Sequence, residues 1–127
     1  MKYITNLFKG RINRLNYLIG FILTGILMYL LTIGLFYREF LIIPIYVLVV
    51  IFGLSLQVRR WHDFNRPWYY ALSAILFSMS IGILSKDIGN ISKLIYLVAL
   101  VAIEGSKGKN RYGDEDKTTG LKSILGL

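Results

Sequence analysis

Residues 59–68 bring together most of the side chains in this sequence that could bind or react with a ligand. Arginine guanidinium groups bind phosphate through paired hydrogen bonds, and tryptophan favours the interface between a bilayer and water. A segment with both residue types could hold a phospholipid headgroup or the phosphate of a lipid-linked substrate. The candidate residues here are Arg59, Arg60, Trp61, His62, Asp63, Arg66 and Trp68.

A second interpretation of this segment requires no ligand. Basic residues with aromatic neighbours are typical of a loop that orients a membrane protein. Asp63 would then pair with Arg59 or Arg60, about one helical turn away. The sequence leaves both interpretations open, and it also leaves open whether these residues form a site or fasten this face of the protein together.

Catalysis is not predicted for this segment. His62 beside Asp63 suggests a general base, but adjacent residues on a helix point in different directions. The chain has one histidine and no cysteine, too few of the usual ligands for a metal site. We therefore expect no catalytic residue, no metal, no cofactor and a protein that is not an enzyme.

Three long apolar runs must position these residues. Residues 17–37, 40–57 and 68–84 contain no Lys, Arg, Asp, Glu or His. A helix rises about 1.5 Å per residue, so the first two runs can cross a bilayer core of about 30 Å and the third just reaches. Hydrophobic residues make up 55% of the sequence and are concentrated in these blocks, a pattern that predicts an all-α membrane protein.

The distribution of basic residues predicts a fourth span. Residues 85–93 are expected to form a polar connection, and apolar sequence is unbroken only over 94–103. However, the leader (1–16), segment 58–67 and the tail (104–127) carry four, three and five of the fifteen Lys and Arg residues. The positive-inside rule places all three in the cytoplasm. Four transmembrane helices with both termini cytoplasmic are thus predicted, at about 17–37, 40–57, 68–84 and 88–103 within a transmembrane domain of residues 17–103.

Smaller features predict how the remaining parts pack. The leader is expected to form a short amphipathic segment broken at Gly10, or else a frayed basic segment that only sets orientation. Ala74, Ser78 and Gly82 repeat every four residues and predict a close helix–helix seam. Residues 105–114 are glycine-rich and predict a turn-rich cap under the bundle. Residues 114–116 are expected to be a solvated acidic cluster.

Three ordered motifs resemble a known family. Residues 8–14 (FKGRINR) precede the first run, residues 59–63 (RRWHD) follow the second, and residues 108–114 (GKNRYGD) follow the last. The chain is similar to the small bacterial inner-membrane family known as domain of unknown function 805. Trp61 replaces the usual leucine, and Glu104-Gly105 replaces a customary proline. The matching positions are Gly10, Arg11, Arg14, Arg59, Arg60, His62, Asp63, Asn110, Arg111, Tyr112 and Gly113. The resemblance implies four spans in the inner membrane and no established reaction.

The leading functional prediction is a non-enzymatic membrane component with a basic and aromatic cytoplasmic patch. The patch is expected to bind anionic lipid headgroups or a partner protein, and neutralising Arg59 and Arg60 is expected to weaken lipid binding without unfolding the bundle. A small oligomeric transporter, channel or holin-like permeabilising protein is the alternative. The net charge of +8 flanks apolar runs, so we do not expect a nucleic-acid partner. Besides the residues of segment 59–68, the patch includes Arg11, Arg14, Asn110, Arg111 and Tyr112.

Overall fold

The computed structural model of this protein describes residues 6–35 and 39–126, and this part of the chain is helical with no β-strand. The prediction of an all-α fold is confirmed. The helices are α1 (Arg14–Leu35), α2 (Glu39–Asp63), α3 (Tyr69–Leu84), α4 (Lys86–Ala102) and α5 (Leu121–Leu125).

The leader ends as an irregular segment before α1. Helical backbone stops at residue 7, and Gly10 has a φ of 78°, a conformation that favours glycine. The helical backbone thus ends three residues before Gly10, close to the predicted break, while residues 1–5 of the predicted amphipathic segment lie outside the described residues. Asn13 then caps α1, because its side-chain oxygen accepts a hydrogen bond of 2.8 Å from the Asn16 amide.

The long helices pack as two hairpins whose seams are lined by small residues. In the α1–α2 hairpin, a Cβ added to Gly20 would meet the Leu56 side chain at 2.9 Å. In the α3–α4 hairpin, Ser78 is buried and its Oγ lies 3.4 Å from the Ser92 Oγ. Both seams follow the small-residue packing that lets helices approach closely.

The connection between α3 and α4 is one residue, Ser85. The predicted polar connection over residues 85–93 is wrong, because α4 already begins at Lys86. Ser85 is the N-cap of α4 and accepts a bond from the Ile88 amide at 3.5 Å, and a Cβ on Gly89 would lie 2.5 Å from the Gly82 Cα. The absence of a side chain at Gly89 therefore permits the close approach of α3 and α4 beside this reversal.

Apolar side chains cover much of the outside of the helices. Ile83 and Leu84 are 85% and 86% exposed, whereas the polar residues Asn16 and Ser55 are fully buried. A soluble protein shows the opposite tendency. Within the described residues, segments Arg14–Ile33 and Ile42–Asp63, of mean hydropathy 1.9 and 2.0, are long and apolar enough to cross a membrane. These two helices suggest a membrane protein.

Helix α2 extends beyond the end of its apolar run. Residues 58–63, expected in a loop, form the last turns of α2, and the loop is shortened to residues 64–68. Helix α3 begins at Tyr69, two residues after Pro67. The buried apolar cluster lies at this same end of the bundle and draws from the leader and from every helix except α3: Ile12, Tyr17, Leu56, Leu100 and Ile124.

Candidate functional site

Three buried arginines and one buried aspartate form the centre of the charged end of the bundle. Arg11 and Arg60 side chains are each 1% exposed, Asp63 is 6% exposed, and the whole Arg59 residue is 3% exposed. Buried charges are costly unless they are paired and hydrogen-bonded. We call this group, Arg11, Arg59, Arg60 and Asp63, the arginine clamp.

Arg60 joins the end of α2 to the end of α4. Its Nε donates to the Leu100 carbonyl at 2.7 Å, and one terminal nitrogen donates to the Ile103 carbonyl at 2.6 Å. The other terminal nitrogen contacts the Asp63 carboxylate and the Ile12 carbonyl. The last carbonyls of a helix lack partners within that helix and attract cations. Arg60 therefore acts as a C-terminal cap of α4.

Arg59 has the same relation to α5. Its terminal nitrogens donate to the carbonyls of Ile124, at 2.9 Å, and Ser123. A weaker contact of 3.4 Å reaches the Arg11 carbonyl. The Nε of Arg59 is buried and has no hydrogen-bond partner among the described residues.

Arg11 ties the leader to the tail. Its Nε donates to the Asp63 carboxylate at 2.9 Å, so Arg11 and Arg60 share that carboxylate. The terminal nitrogens of Arg11 donate to the backbone carbonyls of Ser106 and Gly108. One aspartate and several backbone carbonyls thus hold two guanidinium groups at the point where three segments meet.

The tail in turn caps α2. The amide and hydroxyl of Ser106 donate to the Asp63 carbonyl at 2.7 and 2.9 Å, and the Asn110 side chain donates to the His62 carbonyl at 2.9 Å. A Cβ on Gly105 would overlap the Asp63 carboxylate, so glycine is required for this close approach. The predicted turn-rich cap under the bundle is confirmed, including a turn closed by the pair Asn110–Gly113.

His62 is a packing residue in this structure. Its Nδ1 lies 3.1 Å from the Gly10 carbonyl, and its ring stacks on Tyr112 with 3.9 Å between centroids and 3° between planes. A carbonyl accepts, so this contact assigns the hydrogen to Nδ1. The neighbouring Asp63 carboxylate contacts arginines instead of orienting the imidazole.

Trp61 is partly buried and takes part in a chain of hydrogen bonds. Its Nε1 donates to the Tyr96 hydroxyl at 3.0 Å, and that hydroxyl donates to Gln57 Oε1 at 3.1 Å. The Trp61 ring also stacks on Tyr70, with 5.5 Å between centroids. Trp61 therefore joins α2 to α3 and α4, whereas the second tryptophan, Trp68, is 57% exposed.

Asp116 fixes the later tail against the start of α1. Its carboxylate accepts bonds from the Asn13 amide and the Asn16 side chain, both at 3.1 Å, and from the Ser123 hydroxyl. Burial alone would raise the pKa of Asp116, but these hydrogen bonds outweigh it and hold the pKa below its usual value. The expectation that residues 114–116 are simply a solvated acidic cluster is wrong for Asp116.

The remaining predicted patch residues are exposed. Arg14 and Glu104 form an exposed ion pair at 3.5 Å. Arg66 lies over the Tyr70 ring, 5.5 Å from its centroid, and the Arg111 amide donates to the Asn65 side chain at 3.4 Å. The structure therefore divides the predicted patch into an inner group, which braces the fold, and exposed arginines, of which Arg14 begins α1 and Arg66 and Arg111 lie in loops.

Sequence reasoning missed Asn13 and Asn16 as parts of this assembly. Besides capping α1, Asn13 donates to the Thr118 carbonyl at 2.8 Å, and the buried Asn16 donates to the same carbonyl at 2.7 Å. An asparagine directly before an apolar helical run is a helix-start signal and could have identified Asn13. Nothing in the described part of the chain groups three or more His, Cys, Asp or Glu residues for a metal ion.

The fold and the clamp define a small helical protein with apolar helices and a basic end closed by its own tail. The chain belongs to the family described as "Protein of unknown function (DUF805)", whose model matches residues 6–114. The resemblance noted from its three motifs is confirmed, and the match includes the whole arginine clamp. No curated protein and no solved structure matches the chain.

Proposed function

We propose that this protein is a non-enzymatic component of the bacterial inner membrane, with four spans and both termini in the cytoplasm. Its exposed basic and aromatic cytoplasmic residues bind anionic lipid headgroups. Partner proteins with an acidic surface could use the same residues.

The positions of the exposed cations support this topology. The clamp end carries Lys9, Arg14, Arg66, Lys107, Lys109, Arg111, Lys117 and Lys122 on its surface. Away from the clamp end, the described exposed cations are Lys86, the first residue of α4, and Lys93, near the middle of α4. Such asymmetry orients the basic side towards the cytoplasm. Helices α3 and α4, of 16 and 17 residues, are short for a bilayer core of about 30 Å, so this topology requires local thinning or flanking residues that extend to the interface.

The observation that carries the proposed binding function is the exposed surface beside the clamp. The Arg111 amide contacts Asn65, which places Arg111 and Arg66 on adjoining loops. Trp68, three-fifths exposed, follows on the same loop. We call Arg66, Trp68 and Arg111 the headgroup surface. Arginine supplies charge and phosphate-binding geometry there, and tryptophan favours the interfacial depth at which headgroups lie.

The contacts of Asp63 and His62 support a non-enzymatic role. Asp63 is held by two arginines and His62 by a backbone carbonyl and an aromatic ring, so neither is positioned as a free acid or base. A catalytic group must reach its substrate within hydrogen-bonding distance. Turnover of a phospholipid that is abolished in His62→Ala, with the fold retained, would contradict this part of the proposal.

The test is the count of phospholipids that the detergent-extracted protein retains in native mass spectrometry. Arg66→Gln/Arg111→Gln is expected to lose phosphatidylglycerol relative to phosphatidylcholine. The matched control, Lys86→Gln/Lys93→Gln, removes two charges away from the clamp end and is expected to retain both lipids as the unaltered protein does. Equal phosphatidylglycerol retention in both variants would refute the headgroup surface.

A cavity within the bundle favours a transporter, channel or permeabilising protein as the second candidate. The cavity has a volume of about 470 Å³ and touches all four long helices. Polar groups on its wall include Gln57, Asn90, Lys93 and Tyr96. Polar residues at membrane depth commonly mark a path for a solute. Ion flux across vesicles containing the purified protein, reduced in Asn90→Leu, would support this candidate over the first.

A further inference from the structure

A second cavity lies between the leader and the end of the tail. Its volume is about 600 Å³, within the range of about 300–1,000 Å³ typical of small-molecule sites. It is separate from the headgroup surface, since neither of the two arginines there lines it. The charged residues of its wall are Lys9, Arg11, Arg59, Asp116 and Lys122.

The acid in this wall is already fully engaged. One Asp116 oxygen accepts bonds from the Asn13 amide, the Asn16 side chain and the Ser123 hydroxyl. The other accepts from the amide and the hydroxyl of Thr118, at 3.2 and 2.9 Å. Among the described residues, four basic side chains therefore line the cavity together with one carboxylate, and neutral donors already occupy the oxygens of that carboxylate.

Arg59 is the cation that most requires a counter-charge. Arg11 and Arg60 share Asp63, but no described carboxylate lies within ion-pairing distance of Arg59. Its terminal nitrogens contact only backbone carbonyls, and its buried Nε has no partner among the described residues. A buried guanidinium held by carbonyls alone keeps its full charge and an unsatisfied donor, which is unfavourable.

We propose that this cavity binds a phosphate group, with Arg59 at its inner wall and Lys9 and Lys122 at its rim. Phosphate offers several acceptor oxygens and more than one negative charge, which suits a guanidinium together with two flexible ammonium groups. The group could belong to a lipid headgroup or to a free phosphate in the cytoplasm. The inference rests on the proposed function, because it assumes that this end of the protein faces the lipid headgroups and the cytoplasm.

The rim lysines provide the test, because they are exposed and their only hydrogen bonds in the described structure are made by the backbone. Lys9→Gln/Lys122→Gln is compared with Lys109→Gln/Lys117→Gln, which removes the same charge from the same end outside the cavity. The full chain in mild detergent is titrated with inorganic phosphate against chloride at equal ionic strength, and the shift in the thermal unfolding midpoint gives the affinity. Retained phosphatidylglycerol is counted in parallel by native mass spectrometry.

We expect Lys9→Gln/Lys122→Gln, the rim variant, to bind phosphate about tenfold more weakly, because each of the two lost charged contacts contributes about threefold to the affinity. The control variant, Lys109→Gln/Lys117→Gln, is expected to bind phosphate as the unaltered protein does. A parallel loss of phosphatidylglycerol, or a loss of the lipid alone, identifies a lipid headgroup as the source. Unchanged lipid retention with weakened phosphate binding identifies a free phosphate.

Two results would overturn the inference. One is that rim and control variants behave alike with both probes, since a diffuse charge effect then explains any binding. The other is that neither probe distinguishes the rim variant from the unaltered protein. In the second case, retention of phosphatidylglycerol that still depends on Arg66 and Arg111 would leave the proposed function intact while refuting this site.

Discussion

Replacing Arg60 by glutamine tests the structural role of the clamp directly. The change removes one of the two cations that contact Asp63 and leaves the Leu100 and Ile103 carbonyls at the end of α4 without their donor. Breaking a buried ion pair typically costs about 3–5 kcal/mol. Because Arg11 keeps its contact with Asp63, we expect a loss near the lower value, about 3 kcal/mol of unfolding free energy.

The measurement is reversible unfolding of the detergent-solubilised protein, with the unfolding free energy compared among matched variants. Arg66→Gln removes the same charge from an exposed position over Tyr70 and is expected to cost less than about 1 kcal/mol. Arg60→Lys is expected to fall between them, since an ammonium group keeps the charge but cannot reproduce the guanidinium's spread of donors.

A loss below about 1 kcal/mol for Arg60→Gln, equal to that of Arg66→Gln, would refute the reasoning. The contacts to α4 would then contribute nothing to stability. The distinction matters for function as well, because a stable Arg60 variant that lost phosphatidylglycerol would return this residue to the lipid-binding group.

The remaining predictions concern the seam and the tail. Gly89→Ala should destabilise the α3–α4 hairpin by about 1–3 kcal/mol, because the new methyl group would meet the Gly82 backbone. Gly105→Ala should raise hydrogen exchange at tail amides, since its methyl group would displace the Asp63 carboxylate. Folding lowers the pKa of Asp116 from its unfolded value of 3.8, so the ionised carboxylate stabilises the folded protein. This stabilisation is fully present above pH 3.8 and is lost as the pH falls through the lower pKa of the folded state. Acid titration of tail hydrogen exchange should show this loss.

Each of these experiments has an internal control. Gly82→Ala adds a methyl group that meets nothing within 4 Å, so it should be neutral or stabilising, and equal effects at the two seam glycines would contradict the packing. Gly25→Ala, also facing open space, should leave tail exchange unchanged. Asp116→Asn should flatten the acid dependence, and an unchanged profile in that variant would assign it to another group.

Hydropathy and charge predicted much of the fold because they act over whole segments. The apolar runs are helical, and the tail caps the bundle. The turn at Ser85 was missed because Lys86, Asp87, Asn90 and Lys93 look like a loop on hydropathy alone. A serine N-cap followed by an acid in the first turn was the local signal for a helix start there.

The site was less predictable, since sequence does not say which way an arginine points. Arg59 and Arg60 are consecutive, yet each caps a different helix, and both acceptor sets are made of backbone carbonyls that carry no side-chain signature. Their neutralisation is therefore now expected to destabilise the bundle rather than only to weaken lipid binding. Arg66 and Arg111 are exposed, as the prediction of a headgroup-binding surface requires.

The clamp also imposes an order on biosynthesis. Arg11 and Arg59 leave the ribosome before the carbonyls that they bind, which belong to Ser106, Gly108, Ser123 and Ile124. The helices can form before that point, but the clamp cannot close until residue 124 has been made. Closure of the clamp therefore follows the formation of the long helices, and the contacts of Arg11 and Arg59 with the tail are among the last to form.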